Sequence, residues 1–301
     1  MVEMEKYKLG DICEIVSGST PKTNIDEYWE GTIKWITPAE LNDDTYIITD
    51  SVRKITELAV KKTGLKSFPE GTVILSSRAP IGKVAIAGCE MYCNQGFKNL
   101  ICSKKINNKY LYWFLKGNTV FLNSLGRGAT FKELSKSIVS NIEINLPDIV
   151  YQKKAVETLE KVSEIIALRK RELSSLDDLI KARFVEMFGN PATPGDKFKT
   201  CKLGEVADVK SSHRVFTTEF VAEGVPFYRG TEIGVLASGQ QPEDSYRISM
   251  EHYRKIASDD SKPMRGDLLL PSICNKGQVW MVDTDEPFYY KDGRVLCIAP
   301  D

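Results

Sequence analysis

The chain repeats part of its own sequence, and this feature constrains the fold more than any other. Residues 8–18 read KLGDICEIVSG, and residues 202–212, 194 positions later, read KLGEVADVKSS. Residues 68–86 and 263–281 match again at an offset of 195, with five identical positions. Two separate blocks that share nearly one offset are hard to obtain by chance. We therefore predict two copies of one domain.

The segment between the copies has a different character. Residues 151–188 contain no Gly or Pro, and good helix formers dominate them. Apolar residues recur every seven positions with a second row beside them, which is typical of a helix that packs against another helix. A helix of these 38 residues is about 57 Å long. We expect its interface to comprise Leu159, Val162, Ile166, Leu173, Leu176, Ile180 and Met187.

The flanking copies predict the fold class. Short β-rich runs alternate with turn clusters, and helical segments follow later in the first copy, which indicates an α+β domain. The prediction is a first domain over residues 1–150, a long coiled-coil-type spacer helix over 151–189, and a second domain over 190–301. Because the repeat offset carries the end of the second copy past Asp301, we expect that domain to be incomplete.

Charge is balanced overall but unevenly placed. Lys and Arg number 41, and Asp and Glu number 41, so a uniformly basic nucleic-acid binder is excluded. Residues 26–57 hold eight acids against three bases, a balance of −5, whereas residues 61–109 hold nine bases against two acids, a balance of +7. Such a basic stretch fits a surface that faces phosphates, and on charge alone a solvated face fits it equally well.

Sequence motifs for catalysis and for cofactors are missing. The chain has no Walker A motif, no GxGxxG after a strand and no Asp/Asn-Pro-Pro-Tyr run. It has only two His, and Cys89 and Cys93 have no matching second pair, so we predict no catalytic residue, no metal site and no cofactor. With no export signal and no membrane-spanning run, we expect a cytoplasmic protein whose seven Cys are reduced thiols.

A set of motifs in the first 150 residues resembles one known family. In order, they are KLGD at 8–11, GSTPKT at 18–23, YWEGTIKWIT at 28–37, FPEGTV at 68–73, RAPIGK at 78–83, NQGF at 94–97 and INLP at 144–147. Their order is similar to that in the specificity (S) subunit of type I restriction–modification systems. The second copy resembles the same family more loosely, as a domain of different specificity would.

The resemblance implies an architecture of recognition domain, long helix, second recognition domain and second long helix. The two helices pair antiparallel, and each domain reads one half of a split sequence in double-stranded DNA. The implied partners are modification subunits, which methylate adenine with S-adenosylmethionine, and ATP-driven restriction subunits, which can join them. The S subunit itself is not catalytic. Because the second helix of this pattern lies beyond Asp301, we expect a homodimer through residues 151–188.

The resemblance also guides the choice of DNA-binding residues. Motifs shared by relatives that read different sequences are expected to be mainly scaffold, and base reading is expected from the segments between them: 19–28, 42–66, 118–132, 210–230 and 234–247. The residues expected in these segments are Lys22, Asn24, Lys61, Lys62, Arg127, Lys132, Lys210, His213, Arg214 and Arg229. Within or beside the shared motifs, the DNA contacts expected are Arg78, Lys83 and Lys98.

Two other functions stay open at this point. The chain could belong to a single-chain restriction–modification enzyme, although the 301 residues show no methyltransferase motif. It could also be a shortened S-like module that binds a partner through its helix without complete DNA recognition. Binding to random duplex, with and without the modification subunit, would separate this module from a DNA-reading subunit.

Overall fold

The computed structural model divides the chain into two units. It describes residues 4–78, 80–128, 132–193, 195, 198–257, 261–273 and 278–300. The first unit is Met1–Asp178 and the second is Leu179–Asp301. The long helix Ile149–Phe188 runs through this division.

The first unit mixes short strands and short helices. Its elements are β1 (Glu5–Lys8), α1 (Leu9–Ile12), β2 (Cys13–Ser17), β3 (Trp29–Ile36), β4 (Ile47–Ile48), β5 (Arg53–Ile55), α2 (Glu57–Thr63), β6 (Val73–Ser76), β7 (Val84–Ala87), β8 (Tyr92–Cys93), β9 (Phe97–Cys102), α3 (Asn108–Gly117), α4 (Thr119–Leu125), α5 (Lys136–Ser140), β10 (Glu143–Leu146) and α6 (Ile149–Phe188). The strands form a five-stranded sheet β2-β9-β6-β7-β4, a three-stranded sheet β5-β3-β8 and the pair β1-β10.

The core of the first unit lies between the five-stranded sheet and helices α3 to α5. Every residue of β6 and β7 is buried, which explains why these runs are apolar without alternation. Leu111 and Leu115 of α3 and Leu122 of α4 are fully buried against this sheet. A separate small cluster around Trp35 and Ile55 packs the three-stranded sheet against α2.

Helix α6 follows the sequence prediction closely. It begins after Asp148, whose carboxylate accepts hydrogen bonds from the backbone N–H groups of Val150 and Tyr151 at 2.8 and 3.0 Å. It ends before Gly189, which has a φ of 82° and whose N–H bonds the carbonyl of Val185. The predicted range 151–188 is therefore confirmed, with two further residues at its start.

The second unit repeats the pattern of the first. Its elements are β11 (Ala207–Lys210), β12 (Phe220–Tyr228), α7 (Gly230–Ala237), β13 (Tyr246–Ile248), α8 (Met250–Ile256), β14 (Leu268–Pro271), β15 (Trp280–Met281), β16 (Tyr289–Tyr290) and β17 (Val295–Pro300). They form a four-stranded sheet β11-β17-β14-β15 and a three-stranded sheet β13-β12-β16.

The strand pairings of the two units correspond. Strand β12 is antiparallel to β13 and parallel to β16, just as β3 is antiparallel to β5 and parallel to β8. The order β11-β17-β14-β15 likewise matches β2-β9-β6-β7. Even the irregularity is repeated, because β3 and β12 each carry a bulge opposite an isoleucine, Ile55 or Ile248. The predicted α+β fold with an internal repeat is confirmed.

Candidate nucleic-acid interface

Two tryptophans of β3 anchor the first segment in which DNA contacts were predicted. Trp29 and Trp35 pack edge to face, with ring centroids 5.1 Å apart. The indole N–H of Trp29 donates to the carbonyl of Lys22 at 3.2 Å, and that of Trp35 donates to the carbonyl of Ser19 at 3.0 Å. The backbone of residues 19–28 is thus tied to the sheet, while the side chains of Lys22 and Asn24 stay exposed.

The bulge in β3 brings Trp29 into this position. Both Trp29 and Ile33 face Ile55 of the neighbouring strand, so the intervening residues are extra. Glu30 there has a φ of 59°, and a β-carbon on Gly31 would overlap the carbonyl oxygen of Ile55. The chain can therefore turn at this point only because residue 31 has no side chain.

The guanidinium of Arg53 lies over the ring of Trp29 and near that of Trp35. Its guanidinium carbon is 3.7 Å from the ring centroid of Trp29 and 5.5 Å from that of Trp35. Arg53 was not among the predicted site residues, although it lies in the predicted segment 42–66. Residues 24 positions apart in sequence make the contact, so no local pattern indicated it.

Lys61 and Lys62 lie in the last turn of α2, the helix that packs against Trp29 and Trp35. Thr56 caps the helix by accepting from the N–H of Ala59 at 3.2 Å, and its hydroxyl donates to the carbonyl of Glu27 at 2.8 Å. The helix is therefore fastened to residues 19–28. Both lysines are exposed, and the ion pair of Lys61 with Glu57 at 3.8 Å lies in water, where it contributes little.

Lys98 is buried and Lys83 is half-buried, and both ammonium groups have partners within the first unit. The ammonium of Lys83 donates to the carbonyls of Leu41 and Pro38 at 2.5 and 3.2 Å. The side chain of Lys98 is only 7% exposed and its ammonium lies 3.3 Å from the Ser77 hydroxyl. Both ammonium groups are engaged by hydrogen bonds within the fold, so we leave both lysines out of the contact set proposed below.

A carboxylate joins Lys98 to the loop that carries Arg127. Glu133 pairs with Arg78 at 2.9 Å and with Lys98 at 3.5 Å. Burial alone would raise the pKa of this carboxyl, but the hydrogen bond from Arg78 and the charges of Arg78 and Lys98 hold the pKa below its usual range. Arg78 therefore has part of its charge compensated within the fold.

The same glutamate fixes the backbone of the loop. Arg127 and Glu133 exchange N–H···O bonds of 3.1 and 2.9 Å, which form an isolated antiparallel β-bridge. Arg127 and Lys132 are exposed, and residues 129–131 of the predicted segment 118–132 lie outside the described residues. Arg127 and Glu133 also line a groove of about 740 Å³ together with Phe121.

In the second unit, Tyr246 contacts both an aromatic ring and an arginine, where the first unit has Arg53 over Trp29. Phe220 and Tyr246 lie 4.5 Å apart with an angle of 17° between their rings, and the guanidinium of Arg229 lies 4.5 Å from the Tyr246 ring. The buried carboxylate of Glu232 accepts from the backbone N–H of Arg229 at 2.8 Å and from its guanidinium at 2.7 Å. The hydrogen bond to Glu232 raises the pKa of Arg229. This arginine is thus largely engaged within its own unit.

The other predicted residues of the second unit lie close together in sequence and in space. Lys210 ends β11 and is half-buried, while His213 and Arg214 follow it and are exposed. The backbone N–H of His213 donates to the Tyr289 hydroxyl at 2.9 Å, and Arg214 stacks 5.2 Å from the ring of Phe216.

The predicted interface of α6 is solvent-exposed along its length. Gln152 and Val156, in the first turns, are buried. From there on the seam is open, with exposed fractions between 40 and 68% for Leu159, Val162, Ile166, Leu173, Leu176, Ile180 and Met187. Ile166 also borders a cleft of about 610 Å³ in the first unit, whose floor includes Tyr46 and Trp113.

The described residues contain neither a candidate metal site nor a candidate membrane span. No group of three or more His, Cys, Asp or Glu side chains there is arranged to hold a metal ion. No helix in that part of the chain has both the length and the apolar character needed to cross a membrane.

Comparison with known proteins identifies the family. Residues 1–177 match the family model of the type I restriction modification DNA specificity domain. The chain is 40% identical over 195 residues to the type I restriction enzyme MjaIX specificity subunit of Methanocaldococcus jannaschii, covering 64% of this chain and 44% of that protein. It is 24% identical over 246 residues to the MjaVIII specificity subunit of the same organism, covering 77% and 56%. The chain thus spans about half the length of these relatives.

A solved structure extends the similarity of the fold to the whole chain. This structure, described as the structural basis underlying complex assembly and conformational transition of the type I R-M system, matches with a TM-score of 0.61 at 18% identity. The match covers 100% of this chain and 76% of that one. Because the family model covers more than half of the 301 residues, the chain belongs to the type I restriction modification DNA specificity domain family.

Proposed function

We propose that this protein is the sequence-reading subunit of a type I restriction–modification complex. Each unit binds one half of a split target in double-stranded DNA, and helix α6 serves as the spacer. The observation that carries the proposal is the internal repeat, since the same pairing of β3 with β5 and β8 recurs in β12 with β13 and β16. Two copies of one scaffold with different exposed side chains suit a target with two different halves.

The proposed DNA contacts are exposed or half-buried polar side chains of the segments in which contacts were expected. In the first unit they are Lys22, Asn24, Lys61, Lys62, Arg127 and Lys132, with Arg78 as a partly compensated neighbour. In the second unit they are Lys210, His213 and Arg214, with Arg229 engaged by Glu232. Contacts of this kind are mostly to phosphates, which position a protein on duplex DNA without reading its sequence.

The proposed partners are modification subunits, which supply the methyltransferase chemistry, and restriction subunits that join them. The protein itself then needs no catalytic residue and no cofactor, and it works in the cytoplasm with the rest of the complex. The exposed seam of α6 supports a docking role, because a continuous apolar stripe on a helix fits another helix.

The decisive experiment combines this chain with its modification subunit. Methylated adenines mapped in cells that express both proteins are expected to fall in one split sequence. Duplexes that carry this sequence should then bind the purified complex more tightly than duplexes with either half scrambled. A complex that assembles but methylates and binds without sequence preference would overturn the proposal.

A homodimer through α6 is a second possibility that the exposed seam supports. Two antiparallel copies of the helix would cover both seams about a two-fold axis, which makes the contact self-complementary. Such a dimer would read a symmetric target through two copies of the first unit. Sedimentation of the wild-type chain distinguishes the two arrangements.

A further inference from the structure

We propose that Arg53 reads a guanine in the half-site that the first unit binds, and that Tyr246, in the corresponding place of the second unit, determines a different base preference there. The inference rests on the proposed function and names the specificity residues of that same interface. Neither residue belongs to a motif by which the family was identified.

The first step is that the guanidinium of Arg53 is held in one orientation. It lies 3.7 Å from the ring centroid of Trp29, and Trp29 is held in turn by its hydrogen bond to Lys22 and its edge contact with Trp35. A planar guanidinium on an aromatic face keeps its hydrogen-bonding edge free while its faces are occupied. Less conformational entropy is then lost when that edge binds a ligand.

The second step is that the donors of Arg53 are not used inside the protein. Among the described residues, no carboxylate or carbonyl accepts a hydrogen bond from its guanidinium, and the side chain is exposed. The nearest acid in sequence, Asp50, pairs with Lys54 at 3.4 Å. Arg78 and Arg229 differ in this respect, because Arg78 forms an ion pair with Glu133 and Arg229 forms one with Glu232.

The third step concerns the ligand. Arg53 begins β5, which is the edge strand of the three-stranded sheet β5-β3-β8 and is antiparallel to β3. The major groove of B-DNA is wide enough to admit strands of this kind, so an exposed side chain on the edge strand can reach the edges of the bases. The oxygen O6 and nitrogen N7 of guanine form the pair of acceptors that an arginine fork bonds with two parallel hydrogen bonds. A guanidinium that is oriented in advance and has unused donors, such as that of Arg53, is therefore suited to a guanine edge.

The fourth step comes from the repeat. Counting from the isoleucine that faces each bulge, Arg53 is two residues before Ile55 and Tyr246 is two residues before Ile248. Each residue covers an aromatic ring at the start of the bulged strand, Trp29 in one case and Phe220 in the other. The scaffold thus presents a stacked planar group at the same place in both units. The group differs in chemistry, which is what two half-sites of different sequence require.

The test uses the complex of the full chain with its modification subunit and a target defined by methylation mapping. A panel of duplexes carries each single base-pair substitution in both half-sites. For Arg53→Ala we expect affinity for the target to fall about 5- to 150-fold, with discrimination lost at one G·C pair of the first half-site and kept elsewhere. Arg53→Lys keeps the charge but not the fork, so it should lose the same discrimination.

The second half-site provides the matched comparison. Tyr246→Ala should change base preference in the second half-site alone, and Arg53→Ala should leave that half unchanged. Thermal unfolding followed by tryptophan fluorescence checks that each variant is folded. An equal loss of affinity for every duplex, or no loss at all, would overturn the proposal for Arg53. A wild-type complex without any preferred sequence would instead overturn the proposed function, so the two failures are distinguishable.

Discussion

A β-carbon on Gly31 would overlap the carbonyl oxygen of Ile55, and the same relationship recurs in the second unit between Gly224 and Ile248. In both units the glycine lies in the bulge that lets one isoleucine face two residues of the neighbouring strand. The bulge places Trp29 or Phe220 opposite this isoleucine at the start of the strand, where the aromatic ring contacts Arg53 or Tyr246. A backbone detail thus governs the presentation of the proposed recognition residues.

Gly31→Ala is expected to destabilise the first unit. The added methyl group must push the strands apart at Ile55, and overpacking of this kind typically costs about 1–3 kcal/mol. Three of the four tryptophans, Trp29, Trp35 and Trp113, lie in the first unit, so the fluorescence transition in denaturant reports on it. Gly117→Ala is the control, since a β-carbon there meets no atom within 4 Å. Equal stability of the two variants would contradict the role assigned to Gly31.

Glu133→Gln is expected to lower the free energy of unfolding by about 1–3 kcal/mol at neutral pH, because it leaves the buried ammonium of Lys98 without its charged partner. The figure is at the low end of the range for buried pairs, since the Glu133 side chain is 35% exposed. Urea unfolding at pH 7 measures it. Glu143→Gln, which removes an exposed pair with Lys6, is the control and should cost less.

The same carboxylate predicts a pH dependence. Because the pKa of Glu133 in the folded protein lies below the ordinary value of 4.5, its ionised form stabilises the fold above about pH 4.5. That contribution is lost as the pH falls through the lowered pKa. The stability difference between wild type and Glu133→Gln should therefore be constant above pH 5 and shrink in more acidic buffer. A difference that grew on acidification would contradict the direction of the shift.

Lys61→Glu combined with Lys62→Glu should weaken binding to all duplexes alike. The two lysines are exposed at the end of α2 and are proposed to contact phosphates, which carry no sequence information. The slope of log K against log salt should fall by about 1–2, as expected for one or two lost phosphate contacts. Lys104→Glu with Lys105→Glu, an exposed pair outside the proposed interface, is the control. Loss of affinity for one sequence alone would make the lysines base readers.

Arg127→Ala should weaken DNA binding by about 1–3 kcal/mol if the guanidinium touches a base or a desolvated phosphate. The backbone bridge from Arg127 to Glu133 does not involve the side chain of Arg127, so this bridge is expected to persist. Titration of the complex with its target duplex measures the change. Arg169→Ala removes an exposed arginine of α6 and serves as the control. An unchanged Kd would remove Arg127 from the interface.

Ile166→Asp with Leu173→Asp should abolish any self-association through α6. Both side chains are more than half exposed, and burying one such side chain fully is worth about 1.5–3 kcal/mol. Leu168→Asp is the control, because Leu168 is equally exposed but points about 200° away around the helix from Ile166. Sedimentation at tens of micromolar is the measurement. A wild-type chain that sediments as a monomer there would rule out the homodimer.

Features encoded by local sequence could be predicted. The absence of Gly and Pro and the seven-residue spacing of apolar side chains indicated helix α6 to within two residues, because these signals act within a few turns. The matching blocks at nearly one offset indicated the repeat, and the strand pairings bear it out. The family followed from motifs in order along the first 150 residues.

The positions of individual charged side chains were decided by tertiary structure. Lys98 was expected at the DNA surface, but it lies within the fold because Glu133, 35 residues away, reaches its ammonium. Arg53 gave no signal of its own, since the Trp29 ring that orients it is brought near by the pairing of β5 with a bulged β3. A lone lysine or arginine in a sequence carries only its charge. Whether that charge is buried, paired or presented to a ligand depends on residues that only the folded chain brings within a few ångströms.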